Sequence, residues 1–317
     1  MTTASTIREI KAPAMAPGPV PLPKPRRTGR DRLERRDALL FLSPWIIGFI
    51  LFTAGPIIAS LVLSFCKWDV INPVEFVGLA NFRQMFNDRL LYISLVNTVV
   101  YAGMFIPGSI IVALSLAMLL NQKLPGMRVF RTIFYLPTLT QGVATFTLWS
   151  VVFEKQNGLL NRGLRVFIDD PPGWLVDPAW AKPALVIMAL WSVGGMMLIF
   201  LAGLQNIPRQ LYEAADIDGA GRIGRFFNVT LPMLSPVIFF NTIMATIGSF
   251  QVFSAAFVLT GGGPSNSTMF YVYYLFNRAF VYFNMGYASA MAWLLFVIML
   301  ALTLIQMYVG KKWVHYG

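Results

Sequence analysis

Histidine and cysteine are nearly absent from this chain of 317 residues: one of each occurs, His315 and Cys66. A single cysteine closes no internal disulfide, and the pair cannot build a Cys/His metal cluster. Charge is sparse as well. Asp, Glu, Lys and Arg make up 12% of the residues, where soluble domains carry about 25%. The stretches 38–66, 90–120, 132–153, 183–208, 226–277 and 279–310 hold none of these four and no histidine. A carboxylate or ammonium at mid-bilayer costs about 2.5–3.5 kcal/mol even on lenient insertion scales, and is kept chiefly where a function needs it. Proton-driven carriers use such groups as relays, so their absence speaks against a proton symporter or antiporter. A sodium site built from backbone carbonyls stays open. No G-x-x-x-x-G-K-S/T occurs, which excludes Walker-type ATP binding by this chain. Catalysis is not expected, and "DDPP" at Asp169–Pro172 reads as a turn in an external loop.

What is present is apolar length, with 56% hydrophobic residues. A helix needs roughly 20 residues, at about 1.5 Å each, to cross a hydrocarbon core about 30 Å thick. Every charge-free stretch clears that length, and 226–277 has room for one span plus an external loop. The expected fold class is an all-α membrane protein of six transmembrane helices, at about 41–64, 92–120, 131–153, 183–204, 236–259 and 286–309. Of the 25 Lys and Arg, 17 fall in 1–37, 121–131, 205–235 and 310–317 and 8 in the alternate loops, while the acids divide seven and seven. The basic bias places the first set, and both termini, in the cytoplasm. The net charge of +11 therefore reads as topology and contact with anionic lipid headgroups, and nucleic acid is not an expected partner. Residues 1–37 carry six prolines before Arg26 and no apolar signal-peptide core. They are expected to be a disordered basic tail ahead of a membrane domain at 38–317.

Within the expected spans the polar side chains are uncharged, among them Asn97, Gln141, Thr145, Ser192, Asn241, Thr242, Ser249 and Gln251. Trp149, Trp191, Phe250 and Phe253 accompany them. A sugar wants this mixture of hydroxyl partners and flat apolar faces. Asn241, Ser249, Gln251 and Phe253 cluster in the fifth span and, with Asn97 and Gln141, are candidates to line a path for a neutral solute. Interhelical hydrogen bonding is the alternative role for each of them. Gly55–Pro56, Pro107, Pro137 and Gly194–Gly195 fall inside spans, where helices bend or break.

One segment is unlike the rest: "LQNIPRQLYEAADIDGAGRIGRFFNVTLP", residues 204–232. It reads as two short helices around a turn. Asn206 is expected to cap the first, Pro208 to sit in its opening turn, and the helix to run to about Asp218 with Leu211 and Ala215 on one face. Gly219-Ala220-Gly221 permits a sharp turn. A second helix from Arg222 would set Ile223, Phe226 and Phe227 on one face. The acids Glu213, Asp216 and Asp218 suit a protein partner better than anionic lipid.

This stretch resembles the cytoplasmic EAA loop of permease subunits from bacterial ATP-binding-cassette (ABC) importers. Glu213, Ala214, Ala215, Asp218, Gly219, Ala220, Phe226, Leu231, Pro232 and Pro236 fit the pattern, ahead of the fifth span. "LTGGGPSNST" and "GLANFRQMF" are similar to the carbohydrate-uptake branch, and the resemblance covers 38–317. It implies a type I ABC importer permease fold, multi-pass in the bacterial cytoplasmic membrane. It also implies a second permease subunit, two ABC ATPase subunits, an extracytoplasmic solute-binding protein and a carbohydrate substrate. No cofactor would sit in this chain, ATP and magnesium belonging to the ATPase subunits. The loop, about 205–235, would be the coupling element. Glu213 would pair with a basic group on the ATPase, Gly219 and Ala220 would form the turn, and Ala214 and Ala215 would allow close approach. Load would pass through Leu211, Ile223 and Phe226. A secondary carrier or passive channel is the alternative, and either would act without an ATPase.

Overall fold

The computed structural model describes residues 29–140 and 142–314. Helix α1 (Gly29–Phe49) continues through a π-helical turn, Ile50–Ala54, into α2 (Gly55–Leu63). Pro56 has no N–H to give, and the ladder shifts register there: Gly55 N–H bonds the carbonyl of Ile50, five residues back. The Gly55–Pro56 pair thus bends the hydrogen-bond pattern without ending the helix. Residues 29–37, expected in a disordered tail, are helical instead, because strong helix formers such as Arg, Leu, Glu and Ala extend an existing helix at little cost. The remainder of the expected tail, 1–28, lies outside the described residues.

Beyond this helix, β1 (Cys66–Lys67) pairs antiparallel with β2 (Glu75–Phe76), and α3 (Ala80–Met85) leads into the 32-residue α4 (Arg89–Leu120). Then come α5 (Met127–Leu139), α6 (Val143–Val152), α7 (Leu159–Leu164), α8 (Pro178–Trp191) and α9 (Gly194–Gln205). Next are α10 (Arg209–Ile217), α11 (Arg222–Arg225), a π-turn Phe226–Thr230 and α12 (Leu231–Met233). The chain ends with α13 (Ser235–Phe250), α14 (Ser254–Leu259), α15 (Tyr271–Phe276), a π-turn Asn277–Val281 and α16 (Met285–Gly310).

Among the described residues four helical stretches are long and apolar enough to cross a membrane: Arg36–Leu63, Arg89–Leu120, Ser235–Leu259 and Met285–Gly310. The fourth expected span is a pair, α8 and α9, bent by 51° at Ser192–Val193. It begins earlier than residue 183 and takes in Lys182. The third, 131–153, is cut into α5 and α6 by Thr140–Gly142, where Gly142 adopts φ +145°. A hydropathy run reports apolar length and cannot see such an interruption.

Helix α4 is the axis of the packing. It supplies Tyr101 to one buried cluster, with Phe153, Leu185 and Phe270, and Ala113, Ala117 and Leu120 to a second, with Met197, Phe200 and Leu234. Its Leu91 and Ala102 enter a third, with Tyr271, Tyr274, Tyr287 and Met291. Small residues permit close helix approach where lipid supplies no hydrophobic drive. Ala113 and Ala117 are fully buried here, and a Cβ on Gly203 of α9 would press against Leu234 and Val237 at 2.9 Å.

The N-terminus of α4 is fixed by a charged hub. Asp88 Oδ1 accepts the N–H groups of Leu90 and Leu91 at 3.0 and 3.2 Å. Its Oδ2 accepts from Tyr274 (2.6 Å), Tyr287 (2.7 Å) and Arg278 Nη2 (3.0 Å). Three guanidinium–ring contacts surround Arg278, on Tyr274, Tyr282 and Tyr287 at 5.1 to 5.7 Å. Burial pushes the Asp88 carboxyl up, but the two phenol hydrogen bonds, the Leu91 N–H and the Arg278 charge outweigh it, so its pKa lies below the ordinary value. Asp88→Asn keeps the shape and removes the charge. Hydrogen bonds to charged groups are worth about 1.5–3 kcal/mol; with Arg278 25% exposed, a loss of ~1–2 kcal/mol is expected after screening, read as a lower thermal midpoint in detergent. A lowered native pKa means the contribution is fully present above the unfolded pKa of about 3.9 and is lost as pH falls through the native value. The difference between wild type and variant should therefore hold from neutral pH to about 5 and close only in acid; a difference that widens on acidification contradicts the assignment.

Candidate functional site

The segment 209–233 forms a hairpin of short helices between α9 and α13. Its first helix, α10, stops because Gly219 turns left-handed, with φ +75°. Ala220 N–H bonds Ala215 O at 2.9 Å and Gly219 N–H bonds Asp216 O at 3.1 Å. This paired closure is the Schellman motif, which satisfies carbonyls that would otherwise end unbonded. No atom lies within 4 Å of a Cβ placed on Gly219, so backbone conformation alone asks for glycine there. The expected cap, Asn206, serves elsewhere: its N–H closes α9 on Ala202 and Gly203, and Pro208 occupies the N-cap of α10.

Two side-chain bonds, neither foreseen from the sequence, brace the hairpin. Arg225 of α11 pairs with Asp216 of α10 at 2.7 Å, and Tyr212 OH meets Thr230 Oγ1 at 3.0 Å. Tyr212, Phe226, Val229 and Met233 pack at its root against the buried cluster of Leu204, Ile207, Phe200 and Leu234. Its tip is the reverse. Ile217 is 87% and Ile223 76% exposed, with Leu211 and Phe227 also exposed. Glu213, Ala214, Asp218 and Gly219 lie on the surface, and Ala215 and Ala220 are half-buried. Glu213 has no ion-pair partner among the described residues. Phe226 therefore belongs to the root, whereas Leu211 and Ile223, expected to carry load inward, face outward.

Farther into the apolar region three helix interruptions converge. A cavity of about 240 Å³ is lined by Pro137, Thr145 and Phe146 around the α5–α6 break, and by Met188, Ala189, Trp191 and Ser192 at the α8–α9 bend. Val252–Ala255 at the α13–α14 break and Tyr101 of α4 complete it. Backbone freed by a break at membrane depth must be bonded by protein or line a cavity. Thr138 does part of this: its Oγ1 donates to Ser192 O at 3.1 Å and accepts Gly195 N–H at 3.2 Å, tying α5 to the bend. Gly194 lets the two backbones meet, since a Cβ there would strike Phe134 O and Tyr135 Cα. Thr145 Oγ1 donates to Thr140 O across the α5–α6 break. Trp149 backs the wall edge-on to Trp191 at 5.8 Å, with its indole N–H buried and unbonded among the described residues.

Of the expected path residues, Phe253 lines this cavity and Gln251 sits exposed at the adjoining break. Ser249 turns its hydroxyl back onto Thr246 O at 2.9 Å. Asn241 is 2% exposed, farther along α13, with its Nδ2 unbonded among the described residues. Gln141 lies outside the described residues. Asn97 departs from expectation. Its Nδ2 donates to Asn266 O (2.7 Å) and Met269 O (3.1 Å), and its Oδ1 accepts from Lys182 Nζ (3.1 Å). With Lys182 also reaching Ser267 O at 3.0 Å, Asn97 anchors the "GGGPSNST" loop. Tyr101, Phe146 and Ser254 were missed by sequence reasoning: Phe146 and Ser254 line the cavity because they adjoin helix breaks, and Tyr101 because continuous α4 packs beside those breaks.

A family model described as binding-protein-dependent transport system inner membrane component matches residues 95–315. The chain is 44% identical over 295 residues to the probable ABC transporter permease protein YesP of Bacillus subtilis (strain 168), covering 90% of this chain and 95% of that protein. It is 37% identical over 295 residues to the lactose transport system permease protein LacF of Rhizobium radiobacter, covering 90% and 98%. A chain in the crystal structure of a bacterial alginate ABC transporter, in complex with alginate pentasaccharide-bound periplasmic protein, aligns with TM-score 0.78 at 21% identity, over 90% of this chain and 98% of that one. The last likeness shows the fold.

The turn at Gly219 gives a direct test of the hairpin. A β-branched residue held left-handed costs ~1–2 kcal/mol, so Gly219→Val should loosen the end of α10, while Gly219→Asn should be tolerated. Hydrogen exchange at the amides of Asp218–Ala220 reads this: faster in the valine variant, near wild type in the asparagine variant. Equal protection in all three contradicts the strained-turn account.

Proposed function

The chain belongs to the family of binding-protein-dependent transport system inner membrane components, and on that premise we propose that it is a permease subunit carrying a sugar or oligosaccharide across the bacterial cytoplasmic membrane in an ABC importer. It is a transport component and performs no catalysis itself. ATP and magnesium are bound by two partner ATPase subunits, a second permease completes the pore, and an extracytoplasmic binding protein delivers the solute. Six spans with both termini cytoplasmic put the hairpin on the ATPase side. In this count α5 and α6 together form the third span, and α8 and α9 the fourth.

The observation that carries this reading is the exposed tip of an internally braced hairpin. The hairpin exposes apolar Leu211, Ile217, Ile223 and Phe227 together with Glu213, which has no ion-pair partner among the described residues, and this mixture suits a protein cleft with a basic group in it. Ala214 and Ala215 leave room for close approach, and Asp218, Gly219 and Ala220 hold the turn. One exposed ion pair is worth about 0–1 kcal/mol, so force passes mainly through shape and through the root at Tyr212 and Phe226. The hairpin joins the end of α9 to the start of α13. These helices have 12 and 16 residues, roughly 18 and 24 Å at about 1.5 Å per residue, and both lead to interruptions bordering the cavity. Moving the hairpin moves both.

The cavity is our candidate for the solute path: Tyr101, Trp191 and Phe253 offer ring faces, and Thr145, Ser192 and Ser254 offer hydroxyls. Gln251, Ser249 and Asn241 continue the polar side along α13. The carbohydrate assignment draws on the lactose relative and on a lining in which, among the described residues, there is no carboxylate or cation.

Purification of the chain from its native membrane in mild detergent tests the proposal. It should retain an ATP-hydrolysing subunit whose turnover rises when the solute-loaded binding protein is added. A chain that purifies without such a subunit and equilibrates sugars across vesicles without ATP contradicts the proposal and supports a carrier or channel.

A further inference from the structure

Behind the hairpin lies a cavity of about 660 Å³, walled by the α4–α5 loop with the start of α5, by the end of α9, and by the start of α10. Among the described residues four cationic side chains line it, Lys123, Arg128, Arg131 and Arg209, and no carboxylate does. None of the four pairs with an acid among the described residues; the hairpin's ion pair is Asp216–Arg225. Arg131 spends Nε and Nη2 on Leu120 O, at 3.2 and 2.8 Å, closing the C-terminus of α4. Lys123, Arg128 and Arg209 make no side-chain hydrogen bond or ion pair among the described residues. Leu204 and Ile207, each 7% exposed, put buried apolar surface beside the charges.

Four like charges around one space repel each other, and an anion such as a phosphate group relieves that repulsion. The depth of the cavity names the carrier. Helices α4 and α9 end at it and α5 begins at it, so it lies at the boundary of the apolar region on the hairpin side, the level of lipid headgroups. Cation-lined pockets between membrane helices on the cytoplasmic side take anionic headgroups. We infer that this cavity binds the phosphodiester headgroup of an anionic phospholipid, bridging the α4–α5 loop to the first turn of α10. A bound headgroup there touches Arg209 and Tyr212, the base of the hairpin, and stiffens it. The inference takes the side of the membrane from the proposed function. Binding needs neither ATP nor partner, so its failure leaves the transport reading standing.

The test titrates the purified full chain, in neutral detergent, with short-chain phosphatidylglycerol, followed by hydrogen exchange at 121–131 and 209–212. Short-chain phosphatidylcholine and inorganic phosphate serve as separate arms. Phosphatidylglycerol should protect both segments at concentrations where phosphatidylcholine does not. Lys123→Gln with Arg128→Gln should weaken binding about 25-fold, at about fivefold per basic residue. Both side chains are exposed, so an unchanged thermal midpoint shows that the fold is intact, and Lys123→Arg with Arg128→Lys should retain binding. Equal protection by inorganic phosphate would assign the site to a soluble phosphate and overturn the lipid assignment. Equal affinity for the two lipids, or wild-type affinity in the Gln variant, overturns the site altogether.

Discussion

A backbone amide surrounded by hydrocarbon has no water to bond, so every interruption of a membrane helix must be compensated by protein. That constraint organises this chain. Three interruptions, at Thr140–Gly142, Ser192–Val193 and Gln251–Phe253, are drawn to one cavity, where Thr138 and Thr145 bond carbonyls and an N–H that continuous helices would have satisfied. Interrupted helices are stiff rods with a yielding joint, and the joints meet where a solute could be held. The long α4, interrupted nowhere, is the fixed post against which the jointed elements pack.

The hairpin is joined to those rods through covalent chain and through packing. Its root shares a buried cluster with α4, α9 and α13, while its tip is apolar and exposed. Asp216–Arg225, Tyr212–Thr230 and the left-handed Gly219 make the tip a rigid shape. A rigid tip on a packed root transmits displacement, whereas a floppy loop would absorb it. At the far end, Asp88, Arg278 and the Asn97–Lys182 pair tie the loops after α14 and α15 to α4. The end of α4 remote from the hairpin is thereby braced.

The sequence made the helical membrane class, the locations of apolar helices and the hairpin's turn legible, because charge-free length and a glycine between short amphipathic runs are local signals. It left the α5–α6 break hidden, since Gly142 interrupts the helix without interrupting hydropathy. Asn97 illustrates the limit most clearly. Polar and inside an apolar run, it met every local criterion for a lining residue, yet its partners, Asn266, Met269 and Lys182, are at least 85 positions away and fix it as an anchor. Ile223 and Phe226 share a helical face on paper, yet only Phe226 reaches the buried cluster at the root, and Ile223 is left exposed at the tip.

The central claim is that the exposed tip sits in a nucleotide-driven partner. With Cys66→Ser removing the lone thiol, Ile223→Cys places one reporter at the tip for cross-linking within the assembled complex. The account predicts a short-range cross-link to the ATP-hydrolysing subunit whose yield changes between nucleotide-free and ATP-bound states. A thiol at that position that cross-links to no such subunit, or that is labelled from outside intact cells by an impermeant reagent, contradicts it.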